Sequence, residues 1–207
     1  MALFLFAKLK MINSKVDHCK TLEEFYSEIC RQQEEAHGAY YCAQHHAIRR
    51  YLKMGCEYYK ELGTHQGGTA AAACLEKPVS VELVDLSLEK FSKSRHLFES
   101  FCKENNIKLK TREMNSTDQK TTSRSDLLLI DSYHHPSHLI KELKLHSPYV
   151  MKFIILHDTS ILHGKVNDAL YQTAVNFTAG ITPWKIIERN TQNVGYTVLA
   201  NTINVPV

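Results

Sequence analysis

The stretch YYKELGTHQGGTAAAA, residues 58–73, predicts a strand, a tight glycine turn and a helix. Tyr58–Leu62 suits an extended, half-buried strand. Gly63 and Gly67 allow positive φ and let a ligand approach the backbone closely. Thr69–Leu75 would begin a helix whose free N–H groups face the turn. We therefore expect this turn to bind an anionic or nucleotide-like ligand.

The spacing of the turn does not match two common nucleotide motifs. A dinucleotide fold needs a glycine at the third position of the turn, where this chain has His65. A P-loop needs a lysine before its Ser or Thr, and none precedes Thr69. What remains is the pattern acidic-x-Gly-x-x-x-Gly, formed by Glu61, Gly63 and Gly67. The other interpretation is a glycine-rich turn that binds no ligand.

Size and composition favour one globular α/β domain. The chain has 207 residues, of which 43% are hydrophobic and 23% charged. The net charge of +3 is too small to indicate nucleic acid as a main partner. The longest apolar run near the N-terminus, Ala2–Ala7, is too short for a membrane span or a signal-peptide core. We therefore expect a soluble, cytoplasmic protein with no membrane partner; whether it forms a homo-oligomer stays open.

The cysteine pattern predicts reduced thiols. None of the six belongs to a C-x-x-C pair, so neither a zinc knuckle nor a redox dithiol is predicted. The six are Cys19, Cys30, Cys42, Cys56, Cys74 and Cys102.

From Tyr58 onward, strand patterns alternate with helix patterns. Continuous apolar runs such as Leu127–Ile130 are typical of strands that are buried on both faces, which favours a mostly parallel sheet covered by helices. The short polar link Asn190–Gly195 suits a hairpin, so the last strand should be antiparallel. The seven predicted strands are Tyr58–Leu62, Val79–Asp85, Ile107–Arg112, Ser125–Ile130, Phe153–His157, Trp184–Arg189 and Tyr196–Asn201.

The helix patterns complete a doubly wound α/β fold. We expect residues 1–55 to form an N-terminal helical cap and residues 56–207 to form one compact domain. The predicted helices are Leu22–His37, Gln44–Met54, Thr69–Glu76, Leu88–Asn105, Pro136–Leu145 and Lys165–Asn176.

Ligands of open parallel sheets collect beyond the carboxyl ends of the strands. Asp85 ends the second strand, 22 residues after Gly63, where one carboxylate can accept two ribose hydroxyls. It can equally cap the helix that follows. After the third strand, Ser116 belongs to a polar group, Asn115–Asp118, that can border an adenine.

Two carboxylates and several histidines follow the fourth and fifth strands. Asp131 ends the fourth strand, and His157 and Asp158 end the fifth. These side chains should converge on one edge of the sheet, although each acidic residue can also cap a helix. We interpret them as a functional site.

These motifs resemble the class I S-adenosylmethionine-dependent methyltransferases, and within them the cephalosporin-hydroxylase-like and sugar O-methyltransferase group. The resemblance covers roughly residues 40–200. The motifs that carry it are ELGTHQG at 61–67, VD at 84–85, IDSYHH at 130–135, EL at 142–143 and IILHDT at 154–159.

The resemblance implies a Rossmann-like methyltransferase fold, S-adenosyl-L-methionine as cofactor and a hydroxylated small molecule, such as a sugar, as methyl acceptor. Asp131 and Asp158 would face that acceptor. Asp131 is also predicted to contact the cofactor. The residues predicted to bind the cofactor are Glu61, Gly63, Thr64, His65, Gly67, Asp85, Ser116 and Asp131.

Several members of the group hold Mg²⁺ with acidic residues after the fourth and fifth strands. Asp131 and Asp158 match two of those positions. The usual third ligand is Asp or Asn, where this chain has Thr159, a poorer ligand. Since Mg²⁺ can bind through one or two carboxylates and several waters, it remains a candidate ion.

Methyl transfer to a hydroxyl needs a base, and histidine has a suitable pKa. The candidates are His134, His135 and His157, with Asp131 as a catalytic neighbour; the first two are preferred because they lie near a helix N-terminus. Two other functions stay open: a hydroxylase-like enzyme with the same fold, and a cofactor-binding module without catalysis.

The segment before the first strand is a further candidate for the pocket wall. N-terminal helices in this group often lie over the cofactor. The residues concerned are Tyr40, Tyr41, Gln44, His45 and His46, which can also form an exposed polar turn.

Overall fold

The computed structural model describes residues 13–162 and 165–206. The apolar run Ala2–Ala7 lies outside these ranges. None of the helices within them combines the length and the apolar character that crossing a membrane requires.

A seven-stranded sheet forms the centre of the molecule, in the order β3-β2-β1-β4-β5-β9-β8. Strand β9 runs antiparallel to both of its neighbours, while the pairs from β3 to β5 are parallel. This confirms the predicted doubly wound α/β fold with an antiparallel last strand. The strands are β1 Tyr58–Leu62, β2 Ser80–Asp85, β3 Lys108–Glu113, β4 Ser125–Ile130, β5 Val150–His157, β8 Trp184–Asn190 and β9 Tyr196–Asn201, with a separate hairpin of β6 Ile161–Leu162 and β7 Lys165–Val166.

Helices cover both faces of the sheet. Residues that alternate along β4 point to opposite sides: Leu127 and Leu129 pack with helices α1, α2, α3 and α5, and Leu128 packs with α6 and α7. The helices are α1 Leu22–His37, α2 Ala43–Lys53, α3 Gly68–Cys74, α4 Glu89–Ser92, α5 Arg95–Glu104, α6 Pro136–His146 and α7 Ala169–Thr178.

Two predicted helices differ from those observed. The helix predicted over Leu88–Asn105 is broken between α4 and α5, where the hydroxyl of Ser94 donates to the carbonyls of Phe91 and Gln66. The helix predicted over Lys165–Asn176 begins only at Ala169, because residues 165–166 pair with β6.

Strand register brings the glycine turn next to Asp131, His157 and Asp158 at the ends of β4 and β5, which together form the acidic edge. Leu62 on β1 pairs with Ile130 on β4, which pairs with Leu156 on β5. The residues that follow these three are Gly63, Asp131 and His157. They therefore lie side by side at the carboxyl edge of the sheet.

Candidate functional site

A cavity of about 490 Å³ lies at this carboxyl edge. Its volume falls within the range of small-molecule sites, about 300–1,000 Å³. One wall is the glycine turn, another is the loop after β4 together with the end of β5, and a third comes from α1 and α2. The lining residues include Gly63–Gln66, Gly68, Thr69, Asp131–His135, His157, Asp158, Ile29, Tyr41, Cys42, Gln44 and His45.

Gly63 joins the glycine turn to the loop after β4. Its φ is 92°, and a Cβ added there would lie 2.0 Å from the carbonyl oxygen of Asp131. The backbone N–H of Asp131 donates to the carbonyl of Leu62 at 2.8 Å. Only glycine allows the two backbones to approach this closely.

Asp85 holds the glycine turn in place. Its Oδ2 accepts the backbone N–H groups of Thr64 at 2.7 Å and His65 at 2.8 Å. Its Oδ1 accepts the N–H of Ser87 at 3.1 Å. A carboxylate oxygen can accept two hydrogen bonds, so Oδ1 retains one position for a further donor. Ribose binding by Asp85 stays a prediction.

The other predicted cofactor residues are distributed around this turn. Glu61 is fully buried beneath it and accepts the hydroxyl of Tyr59 at 2.6 Å, and burial raises the pKa of Glu61 to about 8. Burial, with the nearby charge of Lys90, lowers the pKa of His65, whose Nε2 lies 2.8 Å from the Lys90 ammonium.

Gly67 shapes the turn, and Ser116 lies against α6. Gly67 has a φ of 92°, and a Cβ added there would lie 2.9 Å from the ring atom Cζ of Phe98. The hydroxyl of Ser116 lies 3.0 Å from His138 Nε2, and its carbonyl accepts from His146. Contact between Ser116 and an adenine stays a prediction.

His134 bridges the two carboxylates of the acidic edge. Its Nε2 lies 3.0 Å from Asp131 Oδ1 and its Nδ1 lies 2.7 Å from Asp158 Oδ2. Burial would lower the pKa of His134, but hydrogen bonds to the two carboxylates and their charges outweigh burial and raise it to about 10. His134 is therefore an imidazolium at neutral pH, with both N–H groups engaged.

His157 pairs with the same carboxylates from the end of β5. Its Nδ1 lies 2.8 Å from Asp131 Oδ1, while its Nε2 is buried and has no partner among the described residues. Burial lowers the pKa of this imidazole, but the charges of Asp131 and Asp158 outweigh burial and raise it. Against the opposing effect of burial, both imidazoles hold the pKa of Asp131 well below its usual range.

His135 caps helix α6. Its Nδ1 accepts the backbone N–H of Ser137 at 3.2 Å, as an N-cap side chain does. Its ring lies 6.0 Å from that of Tyr133 at an angle of 14°, and 68% of Tyr133 is exposed. The two rings are stacked, and both residues line the cavity.

The α1–α2 side supplies part of the wall, as the sequence suggested for Tyr41, Gln44 and His45. Tyr40 and His46 are exposed instead. Sequence reasoning missed Cys42, although the spacing Cys42-Ala43-Gln44-His45 places it within one helical turn of His45.

Comparison of the sequence with protein-family models and with curated proteins finds no match. Solved structures do match. A provisionally assigned caffeoyl-CoA O-methyltransferase from Staphylococcus aureus aligns with a TM-score of 0.62 at 12% identity, covering 88% of this chain and 93% of that one.

Two similar structures contain S-adenosylhomocysteine. A methyltransferase from Podospora anserina aligns with a TM-score of 0.59 at 14% identity, covering 86% of each chain. An O-methyltransferase from Bacillus cereus aligns with a TM-score of 0.57 at 15% identity, covering 85% of this chain and 90% of that one. At these identities the likeness concerns the fold. The chain has the fold of the class I S-adenosylmethionine-dependent methyltransferases.

Proposed function

We propose that this protein is an S-adenosylmethionine-dependent O-methyltransferase that acts on a hydroxyl group of a small molecule. The observation that carries the proposal is one cavity in which two of the three walls differ in chemistry. The glycine turn after β1 forms the first of these walls, and the cluster of Asp131, His134, His157 and Asp158 forms the second. Solved structures with this fold include O-methyltransferases bound to the cofactor or its demethylated product.

In this proposal the cofactor supplies an electrophilic methyl group on a sulfonium, and the protein aligns it with the acceptor oxygen. Holding two reactants in line can contribute about 7–11 kcal/mol, because their freedom is lost on binding. Gly63 and the turn fixed by Asp85 would hold the cofactor. The acidic edge would then hold the acceptor hydroxyl beside the methyl group.

We assign the role of base to the pair His157 and Asp131. Asp131 accepts from His157 Nδ1, which fixes the ring and leaves the buried Nε2 without a partner in the described ranges. In this proposal Nε2 takes the acceptor proton once the bound acceptor has displaced the side chains that cover it. His134 is less suited because both of its nitrogens already contact carboxylates. His135 is less suited because its Nδ1 accepts the N–H of Ser137, so in the neutral ring Nε2 already carries the proton.

The acceptor we propose is a sugar or a glycosylated compound. The exposed ring of Tyr133, which lines the cavity, can pack against the apolar face of a sugar ring. Gln33 and Gln44 also line the cavity and carry groups able to pair with hydroxyls.

The test is release of S-adenosylhomocysteine from S-adenosylmethionine with a panel of sugars, glycosides and simple phenols. We expect turnover with at least one sugar-containing acceptor. Cofactor binding without turnover on any acceptor would indicate a non-catalytic module. Oxidation of an acceptor without consumption of S-adenosylmethionine would indicate a hydroxylase-like enzyme.

The donor groups at the acidic edge do not fit the predicted Mg²⁺. This ion takes an octahedral set of oxygens at about 2.0–2.1 Å. Here His134 lies between Asp131 Oδ1 and Asp158 Oδ2, and His157 Nδ1 lies 2.8 and 3.3 Å from the Oδ1 atoms of the same two residues. Thr159 is fully buried and accepts the hydroxyl of Thr197 at 3.0 Å. We therefore assign no step to Mg²⁺.

We therefore expect that Mg²⁺ does not stimulate the enzyme. After passage over a chelating resin, turnover should stay within about twofold as Mg²⁺ is added to millimolar concentration, because the imidazolium of His134 already supplies the positive charge between the carboxylates. Initial rates across the titration measure this. A rate that rises and saturates with Mg²⁺ would contradict it.

The pH dependence of kcat/KM should reflect the protonation of His157. A base must be neutral to accept a proton, and the pKa of His157 lies above its ordinary value of 6.5. We therefore expect kcat/KM to fall about tenfold per pH unit as the pH drops below that raised pKa. Asp158→Asn removes one of the two carboxylates that raise the pKa of His157. The fall in kcat/KM should therefore move to lower pH in this variant. A profile that is flat between pH 6 and 9 would contradict the assignment.

A further inference from the structure

A second group of chemically reactive side chains lies where α1 meets α2. Cys30 lies on α1, Cys42 directly precedes α2, and His45 belongs to the first turn of α2. One donor atom from each lies within 4.8 Å of the others. This set contains no C-x-x-C pair, because one ligand comes from another helix and the adjacent pair is Cys-x-x-His.

The spacing of the donor atoms suits tetrahedral Zn²⁺. Zn–S distances of about 2.3 Å and Zn–N distances of about 2.0–2.1 Å place a sulfur and a nitrogen ligand about 3.5 Å apart at the tetrahedral angle. Cys30 Sγ and His45 Nδ1 are 3.4 Å apart. No rearrangement of the helices is needed to bring these two atoms to ligand distance.

The burial and the chemistry of these three side chains both favour a zinc site. Cys42 and His45 are 4% and 5% exposed, and Cys30 is half-buried. The cysteines of this group are free of disulfides, so each sulfur can lose its proton and become a thiolate ligand when an ion binds. Two thiolates and one imidazole form a set that selects borderline-soft divalent cations over Mg²⁺ or Ca²⁺.

We propose that Cys30, Cys42 and His45 bind one Zn²⁺ ion. Three protein ligands leave the fourth tetrahedral position for water or for a ligand in the cavity, since Cys42 and His45 line its wall. Binding pins the start of α2 to α1, and so fixes the wall that faces the glycine turn. This site does not depend on the proposed methyl transfer.

The test uses the full chain, reduced and freed of metal, titrated with Co²⁺ as a spectroscopic substitute for Zn²⁺. We expect a thiolate-to-cobalt charge-transfer band that saturates at one Co²⁺ per chain and disappears when one equivalent of Zn²⁺ is added. Cys30→Ser and Cys42→Ser should each abolish or strongly reduce the band. Cys19→Ser is the matched control, because Cys19 also lies beside a histidine, His18, but has no second cysteine there.

A measurement on the unmutated protein covers the case in which the variants do not fold. Zn²⁺ should slow alkylation of Cys30 at least tenfold, as followed by mass spectrometry, and leave Cys19 unchanged. It should also raise the midpoint of thermal unfolding. The proposal is overturned if stoichiometric Co²⁺ gives no band, if the band persists in Cys30→Ser, or if Zn²⁺ leaves alkylation of Cys30 unchanged.

Discussion

Replacing Gly63 with alanine should destabilise the protein by about 4 kcal/mol or more. Two independent causes add: a φ of 92° is strained for alanine, and the new Cβ would lie 2.0 Å from the backbone oxygen of Asp131. Neither backbone can yield without breaking the hydrogen bond from Asp131 to Leu62. Since small domains are stable by only about 5–15 kcal/mol, much of the stability would be lost.

Denaturant unfolding measures this effect, with Gly180→Ala as the control. Gly180 has its nearest non-neighbour atom at 3.9 Å from an added Cβ, so alanine there should change the free energy of unfolding by less than about 0.5 kcal/mol. Any folded Gly63→Ala protein should also bind the cofactor more weakly. If Gly63→Ala unfolds at the same denaturant concentration as the unmutated protein, the described contact between turn and loop is wrong.

Asp131→Asn should reduce kcat by about 10²–10⁴-fold, the range usual for loss of a general base. Asparagine carries no charge, so it cannot offset the imidazolium of His134 or raise the pKa of His157. The methyl-transfer step should therefore be slow in this variant, while most of the affinity for the cofactor is retained. Steady-state kinetics together with calorimetric binding of S-adenosylhomocysteine separates the two effects.

Asp168→Asn is the matched control. Asp168 is exposed, and its Oδ2 accepts from Nε2 of Gln172 at 3.1 Å, which an asparagine oxygen can also do. Turnover of this variant should stay within about twofold of the unmutated protein. An Asp131→Asn protein that binds the cofactor normally and keeps full turnover would show that the acceptor is not held at the acidic edge.

The sheet was predictable because each strand carries its own signal. The strand predicted over Ser125–Ile130 contains the short apolar run Leu127–Ile130, and its bounds are those of β4. The break between α4 and α5 was not predictable in the same way. It depends on a hydrogen bond from Ser94 to Gln66, a residue in the glycine turn that is distant in sequence.

The candidate site was predictable in its location but not in its pairings. Residues after β1, β4 and β5 share one edge of any parallel sheet, so Gly63, Asp131 and His157 could be placed together from their order alone. That His134 bridges Asp131 and Asp158 depends on register and on side-chain direction, which a sequence pattern does not contain. The same holds for Asp85, which holds the turn through two backbone N–H groups.

Calorimetric titration of the purified full chain with S-adenosylhomocysteine tests the central claim most directly. We expect saturable binding with one site per chain and a dissociation constant in the micromolar range. We also expect weaker binding by Asp85→Ala, because the turn would lose the acceptor of its Thr64 and His65 N–H groups. Absence of binding to S-adenosylhomocysteine and to S-adenosylmethionine at millimolar concentration would contradict it.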